Sequence, residues 1–365
     1  MTDRIYNFSA GPATLPLPVL QQAQRDLLAL PGVGASILEI SHRSKTFAGI
    51  LDSAKKGLTE LLSIPENYRI LFLQGGARLQ FSMVPMNLLT ANTPSADYIL
   101  TGSWGNSALK EAAKAGPVRV AWDGKADRYD RLPASNQLEL SSDAAYVHIT
   151  SNETIEGVQF REEPETGQVP LVCDASSDFL HRPLELTRYG LLYACAQKNA
   201  GPAGLTLVII REDLLARSPA DLPGYLNYQI HADNDSLWNT PAVFGIYIFD
   251  LVVRWLQQEI GGLDKMYARN VDKARMLYQV IDSSNGFYRG HARAEDRSVM
   301  NVTFRLPDQE REKAFLAAAE HNGLSSLKGH RSVGGIRASI YNAMPVEGVS
   351  SLRDFMQDFA SRHAS

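Results

Sequence analysis

The sequence has only two cysteines in 365 residues, Cys173 and Cys195, and both lie inside apolar runs, "VPLVCD" and "LLYACA". Two cysteines cannot build a disulfide framework, and they do not have the spacing of metal ligands. The eight histidines are dispersed and form no helical i, i+4 pair, which also argues against a metal site. We therefore expect no metal, and we expect both cysteines to be small buried packing residues.

The sequence also lacks a strong excess of one charge and a long uninterrupted apolar run. The formal net charge is −4 and the basic residues are scattered, which gives no reason to expect a nucleic acid or a membrane surface as partner. The most apolar stretch, "AVFGIYIFDLVVRW", is interrupted by Asp250 and Arg254 and is too short to span a bilayer. Because the N-terminal "MTDRIYNFSAGPATLP" has no apolar core of the signal-peptide kind, we expect a cytoplasmic protein.

Short apolar runs alternate with amphipathic segments between about residues 20 and 260. The runs that predict strands are "RILFLQ" (69–74), "YILTG" (98–102), "VRVAW" (118–122), "AYVHIT" (145–150), "VPLVCD" (169–174), "LLYACAQ" (191–197) and "LTLVIIR" (205–211). This alternation favours an α/β fold with a mostly parallel sheet covered by helices on both faces. After Gly261-Gly262 the pattern changes to that of a smaller α+β domain. We expect a large domain over residues 16–262 and a small domain over 1–15 and 263–365.

Three of these predicted strands are followed by polar residues that suit chemistry. "YVHITSNET" leads to Thr154, "VPLVCD" ends in Asp174, and "LLYACAQK" leads to Lys198. In an open parallel sheet, ligands bind beyond the carboxyl ends of the strands, so these three side chains are expected to face one crevice. Each residue alone is more typical of a solvated loop; the three together favour a functional site.

Two glycine turns add to this crevice. "LFLQGGARLQF" runs from a strand through Gly75-Gly76 towards a helix, where free backbone N–H groups can bind an anion. "TGSWGNSALK" places Trp104 after another strand, either as a core residue or as a flat face for an aromatic ligand. A lysine amine, a buried carboxylate, an anion cradle and an indole face are together what a pyridoxal phosphate site needs.

Several longer motifs are similar to those of a known family. They include "NFSAGPATLP", "EISHRSKTF", "FLQGGARLQF", "TGSWGNSA", "TSNETIEGVQF", "AQKNAGPAGLTLVI", "WNTPAVFGIY" and "LKGHRSVGGIRASIYNAMP". With these motifs the chain resembles the phosphoserine aminotransferase family, which are class V enzymes of the fold-type I pyridoxal-phosphate transferases. The resemblance runs nearly from end to end. It departs from the more usual pattern in "GGAR", where many relatives have "GGAS", and in "NTPA" in place of "NTPP".

The resemblance implies a role for each matching residue. Lys198 would form the Schiff base and Asp174 would pair with the ring nitrogen, with Trp104 stacked on the ring and Thr154 near the ring hydroxyl. Ala77, Arg78 and Gln197 would hold the cofactor phosphate, which Asn239 and Thr240 would reach from the partner subunit of a homodimer. The substrate-binding residues would be His42, Arg43, His330, Arg331 and Arg337. Arg78 would also be able to contact substrate anions through its side chain.

The implied reaction transfers an amino group between L-glutamate and 3-phosphohydroxypyruvate in serine biosynthesis. Some bacterial relatives also process 4-phosphohydroxythreonine in pyridoxine biosynthesis, and the sequence leaves this open. Two other enzymes of the same fold are alternatives: a serine–pyruvate aminotransferase, which has no use for two His-Arg pairs, and a cysteine desulfurase, which needs a cysteine on a mobile loop. An inactive anion-binding protein that kept the fold is the alternative from a different class, and the presence of Lys198, Asp174 and Trp104 argues against it.

Overall fold

The protein is described by a computed structural model covering residues 4–90 and 93–363. Its helices are α1 (Leu17–Asp26), α2 (Lys45–Leu62), α3 (Ala77–Leu88), α4 (Ser103–Ala112), α5 (Glu212–Leu215), α6 (Tyr228–Asp233), α7 (Val243–Trp255), α8 (Leu263–Ser283), α9 (Gln309–His321) and α10 (Val346–His363). Of the helices in this described part, none is both long and apolar enough to cross a membrane.

The strands form one large sheet and three small ones. They are β1 (Tyr6–Asn7), β2 (Tyr68–Gly75), β3 (Ala96–Leu100), β4 (Val118–Asp123), β5 (Val147–Thr150), β6 (Asn152–Glu153), β7 (Val158–Gln159), β8 (Leu171–Asp174), β9 (Tyr189–Cys195), β10 (Gly204–Arg211), β11 (Arg289–Gly290), β12 (Asn301–Arg305), β13 (Leu324–Ser325) and β14 (Ile336–Ser339). All seven runs that the sequence analysis assigned to strands lie in the large sheet, whose order is β2-β10-β9-β8-β5-β3-β4.

The large sheet is mostly parallel, as expected, but β10 runs antiparallel to both of its neighbours, β2 and β9. The chain leaves β9 at Cys195, turns through residues 196–203 and returns as β10, so Lys198 lies in a hairpin turn. Since β2 and β9 both oppose β10, their carboxyl ends lie at the same edge of the sheet. This brings the turn after β2, which contains Gly76, next to the turn that contains Lys198.

Both faces of the sheet are covered, because successive residues of each buried strand point to opposite sides. Leu171 and Cys173 of β8 belong to one hydrophobic cluster with α2 and α7, and Val172 belongs to another with α3 and α4. Helix α2 begins at Ser44, whose hydroxyl accepts a hydrogen bond from Phe47 N. It can pack closely on α7 because residue 57 is glycine: a Cβ there would lie 2.5 Å from Val253 Cγ1.

The C-terminal elements form a third hydrophobic cluster, built from α8, α9, α10 and strands β12 to β14. Phe8 from the other end of the chain belongs to it, and β1 pairs in parallel with β13. Helix α7 continues through a π-helical turn (Leu256–Ile260) to Gly261 and Gly262, both with positive φ, before α8 begins. The described residues thus form one layered α/β body and one C-terminal α+β cluster.

A lysine buried in this C-terminal cluster fixes the chain after β14. Lys273 of α8 is fully buried and donates hydrogen bonds to the carbonyl oxygens of Ile340, Tyr341 and Met344, at 2.7–3.1 Å. In the same segment, Asn342 N donates to Asn199 Oδ1 at 2.9 Å. The residue that follows Lys198 is therefore hydrogen-bonded directly to the C-terminal elements.

Candidate active site

A cavity of about 390 Å³ lies at the carboxyl edge of the large sheet. Most of the residues that the sequence analysis assigned to the site line it: Ala77, Arg78, Trp104, Thr154, Asp174, Gln197, Lys198, His330 and Arg337. They come from six separate segments of the chain. Five of these segments meet because the strands before them end at one edge of the large sheet, and the sixth, with His330 and Arg337, comes from the C-terminal elements. The N-terminal segment adds Ala10 and Gly11, held by hydrogen bonds from Ala13 N to Gln197 O and from Tyr341 Oη to Ala10 O, both 2.9 Å.

The amine of Lys198 is held inside this cavity by Thr154. Lys198 Nζ donates a hydrogen bond of 2.7 Å to Thr154 Oγ1, and it lies 5.7 Å from the centre of the Trp104 ring. Thr154 lies in the tight turn between β6 and β7, a short hairpin beyond the end of β5. The lysine is thus placed between a hydroxyl and a flat aromatic face.

Asp174 is the last residue of β8 and is buried next to this lysine. One of its oxygens accepts a hydrogen bond of 2.9 Å from Ser176 N. Burial raises the pKa of Asp174, while the hydrogen bonds from Ser176 and the charge of Lys198 act in the opposite direction. A carboxylate in such a setting is stabilised by any cationic group that enters the cavity.

Trp104 lies in the first turn of α4, and two buried carboxylates hold that turn. Glu153 accepts hydrogen bonds from Trp104 N (3.0 Å) and Gly105 N (2.8 Å). Glu156 Oε1 accepts from Ser103 N (3.0 Å) and from Ser103 Oγ (2.6 Å). Negative charge at the start of a helix is favourable, so these two residues, here termed the carboxylate pair, fix where the indole lies.

The first turn of α3 forms another wall of the cavity. Gly76 precedes this helix, no side chain caps it, and Gly76, Ala77 and Arg78 all line the cavity. The first N–H groups of a helix have no carbonyl partner within the helix and favour an anion. The guanidinium carbon of Arg78 lies 5.4 Å from the centre of the Trp104 ring, so it borders the same space.

Arg337 and His330 connect this cavity to a second one of about 480 Å³. Arg337 lies on β14 opposite Thr303 of β12, and both line the second cavity together with Glu156. Burial lowers the pKa of Arg337, and nearby Tyr341 and Glu156 act in the opposite direction. Partial burial and the charges of Arg337 and Arg331 lower the pKa of His330. A half-buried guanidinium of this kind is a ready site for a carboxylate.

Five of the residues assigned to the site do not line either cavity: His42, Arg43, Asn239, Thr240 and Arg331. His42 and Arg43 precede α2 on the surface, and Arg331 is exposed. Asn239 Nδ2 donates to Gln74 Oε1 at 3.2 Å, and Gln74 Nε2 donates to Thr240 O at 3.1 Å. Asn239 and Thr240 thus lie near the end of β2 but outside the cavity of their own chain.

The sequence analysis did not assign the carboxylate pair or the segment of Ala10 and Gly11 to the site. Glu153 and Glu156 stand in "SNETIEGVQF", where a second acid near a turn is typical of a solvated loop. The proximity of both carboxylates to the start of α4 is evident only in the three-dimensional structure, at Gly102. A Cβ at residue 102 would lie 2.5 Å from Glu153 Cδ and 2.6 Å from Glu156 Oε2. Glycine at this position is what allows both carboxylates to approach the helix.

The residues of the first cavity fit pyridoxal phosphate. Within the described residues, four buried polar atoms of its lining have no hydrogen-bond partner: Trp104 Nε1, Thr150 Oγ1, Asn152 Oδ1 and Gln197 Oε1. Such atoms favour a polar ligand, since a buried polar group without a partner is costly. A carboxylate, an amine, an aromatic face and an uncapped helix start complete the donor set, whereas no cluster of metal-binding side chains is found in residues 4–90 and 93–363.

Comparison with known proteins identifies the family. The model of the aminotransferase class V family matches residues 5–352. A phosphoserine aminotransferase of Rhodopirellula baltica is 56% identical over 363 residues, which is 99% of this chain and 96% of that protein. The solved structure of phosphoserine aminotransferase from Bacillus circulans subsp. alkalophilus has a TM-score of 0.96 at 49% identity, covering 99% of both chains.

A second solved structure bears on the cofactor. The phosphoserine aminotransferase of Trichomonas vaginalis, solved with pyridoxal phosphate bound, has a TM-score of 0.92 at 38% identity and covers 97% of this chain and 100% of that one. The family match, the full-length identity and the shared fold agree with one another. The chain belongs to the phosphoserine aminotransferases of aminotransferase class V.

Proposed function

We propose that this protein transfers the amino group of L-glutamate to 3-phosphohydroxypyruvate, giving 2-oxoglutarate and O-phospho-L-serine, with pyridoxal phosphate as cofactor. The observation that supports this most directly is the amine of Lys198, held on Thr154 within one cavity that also contains buried Asp174 and the ring of Trp104. This places the protein in serine biosynthesis, and we propose that it acts in the cytoplasm.

Lys198 and Asp174 carry the proposed chemistry. When bound, pyridoxal phosphate supplies an aldehyde that reacts with amines and a ring that takes up the electrons of a breaking Cα–H bond. Lys198 Nζ would bind the cofactor at rest, and its freed amine would take the proton from the substrate Cα and return it at the C4′ carbon of the cofactor. Asp174 keeps a proton on the ring nitrogen, which maintains the ring's capacity to accept electrons.

The other residues of the first cavity orient the cofactor. Trp104 stacks on the ring, and Thr154 holds Lys198 on one side of it. The N–H groups at the start of α3, from Ala77 and Arg78, bind the phosphate together with Gln197. The large part of the chain, residues 16–262, supplies these groups, and the small part, residues 1–15 and 263–365, supplies the substrate arginine.

The substrate anions are divided between two sets of cationic side chains. Arg337 binds the α-carboxylate through its planar guanidinium, which matches a carboxylate with two hydrogen bonds. His42, Arg43, His330 and Arg331 bind the second anionic group. Two His-Arg pairs carry more positive charge than one carboxylate needs, which suits the phosphate of 3-phosphohydroxypyruvate and still accepts the side-chain carboxylate of glutamate.

We also propose that the active sites are shared between the subunits of a homodimer. Asn239 and Thr240 lie outside the chain's own cavity, on a surface where Trp238 is 47% exposed. His42 and Arg43 follow a surface segment in which Leu38 is 62% exposed. Exposed large apolar side chains favour burial in an interface, which would bring these site residues to the cavity of a partner subunit.

The proposed aminotransferase activity is tested with the variant Lys198→Ala. The wild-type protein purified with pyridoxal phosphate is expected to be yellow and to form phosphoserine from glutamate and 3-phosphohydroxypyruvate, and the variant is expected to lose both properties. An assay panel that includes hydroxypyruvate without phosphate, pyruvate and 4-phosphohydroxythreonine defines the substrate range. A colourless wild-type protein that gains no absorbance from added pyridoxal phosphate would refute the proposal.

The shared site is tested by mixing two inactive variants, Lys198→Ala and the double variant Asn239→Ala/Thr240→Ala. Each mixed dimer contains one site with an intact lysine on one chain and an intact loop on the other. After denaturation and refolding of an equal mixture, random pairing should restore about a quarter of wild-type activity. Refolding each variant alone is the control, and a mixture no more active than its components would contradict sharing.

A further inference from the structure

The carboxylate pair does more than cap α4, because Glu156 also lies beside the substrate arginine. Thr303 faces Arg337 across β12 and β14, and Thr303 Oγ1 donates a hydrogen bond of 2.9 Å to Glu156 O. Glu156 and Arg337 line the same cavity and act on each other electrostatically. An anion of the protein therefore lies close to the cation that we assign to the substrate.

Only one of the two carboxylate oxygens of Glu156 is used by the helix. Oε1 accepts both bonds from Ser103, whereas Oε2 is buried and has no hydrogen-bond partner in the described part of the chain. Capping α4 does not require this second oxygen to carry charge, since an amide oxygen in place of Oε1 would accept the same two bonds. Among the described residues, Oε2 of Glu156 thus has no hydrogen-bond partner of its own.

Glu156 interacts electrostatically with an acidic, a phenolic and a basic side chain, those of Glu153, Tyr129 and Arg337. Burial and the charge of Glu156 raise the pKa of Glu153, and Asp174 acts on Glu153 in the same direction. Tyr129 faces Glu156 from the loop after β4, and Arg337 faces it from β14. Burial is the largest influence and raises the pKa of Glu156, while Ser103 and Arg337 lower it.

We propose that Glu156 is an internal competitor for Arg337: its carboxylate weakens the binding of the substrate carboxylate and so sets the affinity for both amino-group donors and acceptors. The inference rests on the proposed function, because it assigns Arg337 to the substrate. Two carboxylates beside one guanidinium repel each other, so the ionised form of Glu156 opposes substrate binding. The affinity is limited in this way without any loss of contact between substrate and Arg337.

The test is Glu156→Gln, which keeps an acceptor for Ser103 and removes the charge. Arg337 holds the carboxylate throughout the reaction, so its strengthened binding should lower KM and leave kcat nearly unchanged. We expect the glutamate KM to fall roughly three- to tenfold where Glu156 is ionised, and the difference from the wild type to shrink as the pH is lowered and Glu156 becomes protonated. The dissociation constant of glutarate, a dicarboxylate without an amine, should fall in parallel.

Two matched variants distinguish charge from structure. Glu156→Asp keeps the charge and should not lower KM, whereas Glu162→Gln removes an exposed carboxylate that lines neither cavity and should change nothing. If Glu156→Gln does not fold, Glu156→Ala replaces it, because water can then reach Ser103. If the KM of the variant equals or exceeds the wild-type value at every pH while the wild type is active in amino transfer, the inference is overturned. If the wild type shows no amino transfer, the proposed function itself is refuted.

Discussion

Lys198 Nζ donates a hydrogen bond of 2.7 Å to Thr154 Oγ1, across 44 residues of chain. The lysine comes from the turn after β9 and the threonine from the hairpin beyond β5, with β8 between these two strands in the sheet. The bond therefore joins groups that are neighbours only because parallel strands end together. It aims the amine into the cavity and away from bulk solvent.

Replacing Thr154 with valine should disturb this placement at nearly constant volume. The lysine amine loses its hydroxyl partner, and we expect kcat to fall by about tenfold while the protein keeps its fold and colour. Thr154→Ser retains the hydroxyl and is the control. Steady-state kinetics with glutamate and 3-phosphohydroxypyruvate measure the effect; equal activity of both variants would show that the hydroxyl is not needed.

Asp174→Asn should reduce activity far more than it reduces stability. An amide cannot keep a positive ring nitrogen protonated, so the electron uptake that amino transfer requires is weakened, by about a hundredfold or more in kcat. Urea denaturation should show little change, because the cost of burying a charge is removed together with its pairing. Asp143→Asn, on the exposed turn before β5, is the control. An active Asp174→Asn variant would contradict the assigned role.

Gly102→Ala should damage the site through the carboxylate pair. The added Cβ would lie 2.5–2.6 Å from Glu153 and Glu156, so the start of α4 and Trp104 must shift, which we expect to cost about 1–3 kcal/mol of stability. Affinity for pyridoxal phosphate, measured by absorbance titration, should fall as well. Gly49→Ala in α2 is the matched control: no atom lies within 4 Å of its added Cβ, and alanine there should stabilise the helix by up to about 1 kcal/mol.

Lys273 should make stability depend on pH. Burial and Arg269 lower its pKa from 10.5 to about 7. Since the unfolded chain binds more protons between these two values, the contribution of Lys273 to the free energy of unfolding rises with pH through that window. From about pH 7 to 9 the rise should be about 2–3 kcal/mol, and Lys273→Met should lack it. The difference in urea denaturation between the two proteins isolates this effect; parallel pH profiles would contradict it.

Both substrates are expected to use Arg337, so they cannot occupy the site together. Glutamate must react and leave as 2-oxoglutarate before the phosphorylated keto acid binds. Double-reciprocal plots of rate against one substrate, at several fixed concentrations of the other, should therefore give parallel lines. 2-Oxoglutarate should compete with 3-phosphohydroxypyruvate. Intersecting lines would show that both substrates bind at once.

The order of strands and helices was largely predictable because each buried strand is a continuous apolar run bounded by turn residues. Asp174 and Lys198 could be assigned to one crevice for the same reason: the ends of parallel strands share an edge. The direction of β10 could not be read in this way, since an apolar run looks the same in both directions. Although β10 is antiparallel to its neighbours, the residues assigned to the ends of the other strands still line the cavity.

Two sets of residues could not be placed from the sequence: the carboxylate pair, and the assigned residues that line neither cavity. Glu153 and Glu156 look like solvated acids until the close approach at Gly102 shows that they are buried. His42, Arg43, Asn239, Thr240 and Arg331 were assigned by resemblance alone, and they lie outside the cavity of their own chain. Their roles stay predictions that depend on a second subunit.

The pairing of β1 with β13 joins Tyr6 and Asn7 to Leu324 and Ser325. During synthesis Tyr6 and Asn7 leave the ribosome long before Leu324 and Ser325. The N-terminal segment therefore has no strand partner until most of the residues between them have been made. Ala10 and Gly11, which line the cofactor cavity, are anchored by this late pairing and by the bond from Tyr341. We therefore expect the cavity to be completed only after residues 324–341 have been made, later than the large sheet, whose last strand in the chain ends at Arg211.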